Sequence, residues 1–195
     1  MSIRDSVQGR AIDAVVIGTS AGGLHALSEV LRGLPDDYRR PVLVVQHIPD
    51  GRPTQLAQIF QNKTRLKAKE ADDKEALANG WLYFAAPGYH LLVERDFSLA
   101  LSQEEPVCFS RPSIDVLFES AADAWGERLA GVLLTGASED GARGLECIHR
   151  AGGLTIVQRP EEAEMDIMPR AALKRFEPDH ILSLCDIHRL LCELE

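Results

Sequence analysis

Three residues suited to nucleophilic acyl transfer each follow an apolar run in this chain. Ser20 comes after AVVIG (14–18), His47 after PVLVVQ (41–46) and Asp140 after GVLLTG (131–136). If those runs are parallel strands of one sheet, the loops beyond their carboxyl ends share an edge, and that edge is where such sheets bind ligands. A hydroxyl, an imidazole and a carboxylate gathered there can act in sequence. Ser20 attacks a carbonyl, His47 takes its proton, and Asp140 holds the imidazole in tautomer and orientation. Glycines surround the serine in Gly18-Thr19-Ser20-Ala21-Gly22-Gly23, which permits a tight turn and close approach of the backbone. A helix opening just past Ser20 would offer its free N–H groups to an oxyanion.

Each residue also has a plainer reading. Ser20 could be no more than a helix N-cap. His47 could be a satisfied strand-end histidine, and Asp140, before Gly141, an ordinary turn residue. Their joint placement at neighbouring strand ends favours the chemical reading. Two other motifs compete for the same stretch. The glycines fail G-x-G-x-x-G, because Ser20 stands where the second glycine belongs and His47 replaces the ribose-binding acid, so a dinucleotide site is weak. Gly18-Thr19-Ser20-Ala21-Gly22 does match the G-x-S-x-G elbow of lipase-like esterases, and Asp140 with His180 or His188 would satisfy their Ser, Asp, His order. That elbow would lie on the first strand, with no earlier strand to build its oxyanion loop. This small-ester hydrolase reading therefore ranks below the order Ser20, His47, Asp140.

The elements that must position these residues alternate along the chain. AVVIG leads into a helix over about 22–33, with Leu24, Leu27, Leu31 and Leu34 as its apolar stripe. PVLVVQ precedes a helix over 53–62. WLYFAA (81–86) and HLLVE (90–94) flank the turn signal Pro87-Gly88, SLALS (98–102) follows, and together they read as a small antiparallel excursion. A helix begins at Arg111-Pro112-Ser113, with Ile114, Leu117, Phe118, Ala121, Ala122 and Trp125 at helical spacing. GVLLTG is a third central strand before a helix over 140–151. LTIVQ (154–158), a short helix after Pro169, HILSL (180–184) and a C-terminal helix complete the pattern. Near-continuous apolar strands joined by helices imply a three-layer α/β/α sandwich on a mostly parallel, doubly wound sheet. Residues 1–11 read as a flexible leader and 12–195 as one catalytic domain.

Composition narrows the class. The 195 residues are 45% hydrophobic and 26% charged, a globular balance. A net charge of −9 argues against nucleic acid or an anionic membrane as the main partner. No apolar run approaches the roughly 20 residues that cross a bilayer. The leader MSIRDSVQGR lacks the apolar segment of a signal peptide, so the expected location is the cytoplasm. Cys108, Cys147, Cys185 and Cys192 match no metal-binding spacing and are expected as reduced thiols. No cofactor and no metal is expected.

The segments IGTSAGGLHAL, VVQHIP, APGYH, RPSIDVLFESAA, GVLLTGASEDGARGL and MPRAAL occur in this order. Together they resemble the catalytic domain of the chemotaxis protein-glutamate methylesterases, the CheB family, from about residue 12 to about 192. The resemblance implies an α/β sandwich distinct from the lipase fold. It implies removal of methyl groups from glutamyl γ-methyl esters on chemoreceptors with release of methanol, and deamidation of certain receptor glutamines. It carries Ser20 over as nucleophile, His47 as base and Asp140 as the orienting carboxylate. Backbone N–H groups of Ala21 and Ala137 would form the oxyanion hole, with Gly22, Gly23, Gly136 and Ser138 supporting the pocket. The chain departs from the family pattern at Ala21, usually Thr, and in GASEDGA, where Ala137 replaces Met and Ser138 replaces Gly. Family members usually carry an N-terminal phospho-receiver domain, and only about ten residues precede the first strand here. The expected partners are a methylated chemoreceptor cytoplasmic domain as substrate and a separate receiver or methyltransferase. The competing reading from another class is a CheB-like scaffold or sensor that no longer turns over.

Overall fold

A computed structural model describes residues 9–35, 37–48 and 54–194. Seven strands form one parallel sheet. They are β1 (Ala14–Thr19), β2 (Val42–Gln46), β3 (Lys67–Glu70), β4 (Trp81–Phe84), β7 (Leu129–Leu133), β8 (Leu154–Gln158) and β9 (His180–Leu182), in the order β3-β4-β2-β1-β7-β8-β9. Two further strands, β5 (His90–Val93) and β6 (Leu99–Ser102), pair antiparallel outside it. The helices are α1 (Gly23–Leu31), α2 (Leu56–Gln61), α3 (Ile114–Trp125), α4 (Ala142–Arg150), α5 (Ile167–Arg175) and α6 (Leu184–Glu193).

The central strands carry side chains that are buried on both faces. Val15 and Ile17 of β1 face a core shared with Leu27 and Leu31 of α1, Phe60 of α2 and Leu190 of α6. Ala14 and Val16 face a second core with Leu117 and Phe118 of α3, Leu145 of α4 and Met168 of α5. This two-sided burial is why the strands read as continuous apolar runs rather than as alternating ones. Each fully buried Leu or Phe contributes about 1.5–3 kcal/mol, offset by the conformational entropy of ordering the chain.

The topology places the ligand edge. From β1 the chain turns to one side of the sheet through β2, and from β7 it turns to the other through β8. The carboxyl ends of β1 and β7 therefore flank a switch point, where open α/β sheets leave a crevice. Ser20 follows β1, and the 134–141 loop follows β7. Thr19 pairs with Gln46, so His47 leaves β2 at the same level.

One expectation about the elements needs correction, and one strand has no counterpart among the expected elements. Residues 81–84 do not belong to the antiparallel excursion. They form β4, parallel to β2 and β3, and only β5 and β6 make the hairpin. Buried Leu82, Tyr83 and Phe84 reflect that position inside the sheet, between β3 and β2. Strand β3, with the sequence KAKE, carries no apolar run because it is an edge strand, where charge discourages pairing with other chains. Part of the expected leader, residues 1–8, and residue 53 at the start of the second expected helix lie outside the described residues.

Candidate active site

Ser20 sits in a turn whose backbone is pinned on every side. Its N–H donates to Thr135 O at 3.0 Å, and its carbonyl accepts from Gly23 N at 2.9 Å and from Gln46 Nε2 at 2.9 Å. Thr135 extends the clasp, donating from Oγ1 to Ala21 O at 2.9 Å. The Ser20 hydroxyl makes no hydrogen bond among the described residues. It does not cap α1, whose N-cap is Gly22 in a left-handed conformation, φ 78°. The backbone of Ser20 is thus fixed, while its hydroxyl takes no capping role among the described residues.

Glycines make this close packing possible. A Cβ on Gly136 would lie 2.5 Å from Met168 Cε and 3.0 Å from Ser20 Cβ. One on Gly23 would lie 2.1 Å from Gln46 Oε1, so α1 begins directly against the end of β2. Ala21 and Ala137 are both exposed, and neither backbone N–H has an acceptor among the described residues. Ser138 turns inward, and its Oγ accepts the Asp140 N–H at 3.3 Å.

His47 leaves β2 with its N–H on Thr19 O at 3.0 Å, which ties it to the residue before Ser20. Its Nε2 lies 2.8 Å from Asp140 Oδ2. A carboxylate there accepts, so Nε2 carries the proton and Nδ1 is left with a free lone pair. The structure thus joins His47 to Asp140 and brings Ser20 to the same edge, without a hydrogen bond between the Ser20 hydroxyl and His47. His188 is engaged elsewhere, with Nδ1 on Val30 O at 3.0 Å, and His180 lies in β9. Neither pairs with Asp140.

Asp140 is completely buried and holds more than the histidine. Its Oδ1 accepts from Ser113 Oγ at 2.8 Å and Asp115 N at 3.0 Å, and its Oδ2 also accepts from Ile114 N at 2.7 Å. The carboxylate therefore closes the amino end of α3, where the helix dipole and the orphan N–H groups favour negative charge. Burial pushes its pKa up, but the bonds from His47, Ile114 and Asp115 outweigh burial and hold it below the ordinary aspartate value. Asp140 stays ionised, as an orienting carboxylate must.

Three supporting residues escape a reading of spacing alone. Ser113 stands at the N-cap of α3, yet its side chain caps nothing in its own helix and donates to Asp140 instead. Asp115 returns the exchange. Its Oδ1 accepts from Gly141 N at 2.9 Å and Gly144 N at 2.7 Å, closing the amino end of α4. Burial pushes the Asp115 carboxyl up to about 6, and the charge of Asp140 adds to this. His90, buried at the start of β5, accepts the Ser113 N–H on Nδ1 at 3.2 Å and places Nε2 3.1 Å from Glu105 O. The sequence signal is RPSID, a polar pair spaced two apart at the start of an apolar helix, which marks a helix end tied to something buried.

Comparison with known proteins places this arrangement further. Residues 15–191 match the family model for CheB methylesterase. The chain belongs to the CheB methylesterase family. A relative from Leptospira interrogans is 44% identical over 183 residues, covering 94% of this chain and 95% of that protein. A relative from Anaeromyxobacter dehalogenans, named protein-glutamate methylesterase/protein-glutamine glutaminase 2, is 42% identical over 193 residues, and this chain spans 56% of its length. The crystal structure of the Thermotoga maritima CheB methylesterase catalytic domain superposes with a TM-score of 0.89 at 29% identity, covering 94% of this chain and 99% of that one. The parallel sheet with helices on both faces is thus the CheB catalytic fold. Among the described residues no helix is long and apolar enough to cross a membrane.

Beside the CheB-type site opens a cleft of about 550 Å³, lined by Cys108, Glu139, Arg143, Ile167 and Arg170 among others. It flanks Asp140 and does not contain Ser20 or His47. Ser20 is half-buried, just past the carboxyl end of β1.

Proposed function

We propose that this chain hydrolyses the γ-methyl esters of glutamyl side chains on a methylated protein of the chemoreceptor type, with Ser20 as nucleophile, His47 as base and Asp140 as orienting carboxylate. The observation that carries the reading is the 2.8 Å bond from His47 Nε2 to a buried Asp140, beside a serine whose hydroxyl is uncommitted. Family membership and relatives named protein-glutamate methylesterase support the substrate class.

With Nε2–H held by Asp140, His47 Nδ1 takes the Ser20 proton as Oγ bonds to the γ-carbonyl carbon. The oxyanion is met by the free N–H groups of Ala21 and Ala137. The tetrahedral species collapses, His47 returns the proton to the methoxy oxygen, and methanol leaves. Water then attacks the acyl-enzyme with His47 again as base, giving a glutamate carboxylate and free Ser20. A glutamine side chain would enter the same path with ammonia as leaving group, the second activity in the relatives' names. A half-buried serine at the rim of the sheet's carboxyl end suits a side chain presented by a folded protein, and the cytoplasm is the compartment where a receptor's signalling domain would present it.

The test is methanol release from a receptor cytoplasmic fragment premethylated by a methyltransferase, with Ser20→Ala as control. Release by the wild type and not by the variant is expected. Equal release by both would remove Ser20 from the mechanism, and no labelling of Ser20 by a serine-directed phosphonate would identify a scaffold instead of an enzyme.

A further inference from the structure

The turn that leads into α3 is built against local preference. Val107 and Ser110 exchange both backbone hydrogen bonds, at 3.1 and 2.9 Å, around a two-residue turn of Cys108 and Phe109. Both central residues are left-handed, φ 49° and 61°. Turns of this type take Asn and Gly, because a larger side chain crowds its own backbone there. Packing within the chain does not explain the phenylalanine, since Phe109 is fully exposed, at 104% of its reference surface. A large apolar ring, held out by a strained turn and covered by none of the described residues, is a contact made for something else.

Its place in the fold says what. Cys108 lines the cleft beside Asp140. Ile167, at the start of α5, is exposed and lines the same cleft, and Met165, two residues before it, is exposed as well. Met165 is bound to the site directly, its carbonyl accepting the Gly136 N–H at 3.0 Å. A protein that delivers a side chain to Ser20 must lay its backbone across this edge. In a chain of net charge −9, the cleft carries four cations, Arg143, Arg170, Lys174 and Arg175, against three carboxylates, Asp115, Glu139 and Asp166. Three of the cations are half-exposed and engage chain carboxylates, while Lys174 is exposed and has no ion pair among the described residues.

We propose that Phe109 is a docking anchor for the protein substrate. Its ring packs against apolar side chains next to the esterified glutamate, and the cations of the cleft face the unesterified glutamates of the same segment. The inference rests on the methylesterase reading and deepens it, because it assigns recognition of the protein, as distinct from recognition of the ester, to a residue outside the catalytic group.

The experiment compares wild type with Phe109→Asn, which keeps a residue tolerant of left-handed backbone, and with Phe109→Leu. Hydrolysis is measured on the premethylated receptor fragment and on a small soluble ester such as p-nitrophenyl acetate. The ratio of the two kcat/KM values is expected to fall by about 10- to 100-fold in Phe109→Asn, the range that burial of one aromatic ring supports, through KM for the protein. Phe109→Leu should recover part of the loss. The Tm of Phe109→Asn should be no lower than that of the wild type. An unchanged ratio, or a Tm fall large enough to account for the loss, overturns the inference and leaves the methylesterase reading standing. A wild type that turns over the small ester and not the methylated fragment sinks the methylesterase reading, and the docking role falls with it.

Discussion

Asp140→Asn should damage both stability and catalysis, and the two losses can be measured apart. The carboxylate accepts four bonds, two on each oxygen: His47 Nε2 and Ile114 N on one, Ser113 Oγ and Asp115 N on the other. An amide has one acceptor oxygen and must turn its NH₂ toward one of these pairs. Ser113 can rotate its hydroxyl and His47 can change tautomer, but the backbone N–H of Ile114 or Asp115 cannot, so one buried donor loses its acceptor at a cost of about 1–3 kcal/mol. Loss of charge at the amino end of α3 adds about 0.5–2 kcal/mol. A total near 3 kcal/mol lowers Tm by about 6–12 °C in a domain of this size. If the NH₂ faces His47, the ring must protonate Nδ1 and its base is gone, a change worth about 10⁴ in kcat in the worked serine-protease case. The assay is thermal unfolding by circular dichroism alongside methanol release, with Ser20→Ala as the partner variant. Ser20→Ala should abolish turnover and leave Tm within about 1 °C, since the hydroxyl bonds nothing. Asp140→Asn with the same Tm as Ser20→Ala would refute the capping argument; Asp140→Asn with more than a tenth of wild-type kcat would place its NH₂ toward Ser113 and Asp115, and the same activity in Asp140→Ala would refute the orienting role.

Asp115 makes the opposite case. Both of its backbone bonds fall on Oδ1, so Asp115→Asn should keep them and cost little at pH 7, while Asp115→Ala should lower Tm by several degrees. Because burial pushes this carboxyl up to about 6, the native state binds its proton more tightly than the unfolded chain does. Its contribution to stability is therefore fully present below the unfolded value of 3.8 and is lost as pH rises through about 6; denaturant midpoints across that range should show the slope in wild type and not in Asp115→Asn. Ser113→Ala removes one bond to the charged carboxylate and should lower kcat by about tenfold with KM little changed, as steady-state kinetics on the methylated fragment would show. Gly136→Ala must displace Met168 or Ser20, and overpacking of this kind costs about 1–3 kcal/mol, so activity and Tm should fall together. Retained activity in Gly136→Ala would mean that the flexible methionine alone absorbs the methyl group.

Much of the fold was legible because burial on both faces writes itself as apolar runs. β1, β2 and β8 fall within one residue of the runs that announce them, and β7 starts two residues before its run and ends three before it does. β3 was illegible for the converse reason, since KAKE at a sheet edge needs no apolar residue, and β4 was misplaced because a turn signal says where a chain bends and not which strand it joins. In the site, the strand-end rule was enough to place Ser20, His47 and Asp140 at one edge. It could not show that Asp140 serves α3, that Asp115 serves α4, or that His90 touches Ser113, because these are contacts between residues about 23 to 29 positions apart with no periodic signature. The same holds for the His47 tautomer, which depends on which nitrogen meets the carboxylate.

The double duty of Asp140 bears on how this lineage would decay. A descendant released from the need to hydrolyse esters could lose the Ser20 hydroxyl at once, since no part of the fold depends on it. Asp140 would persist, kept by the helix it closes. Across sequences that share this architecture, the aspartate records selection for folding, and the residue at position 20 records selection for chemistry.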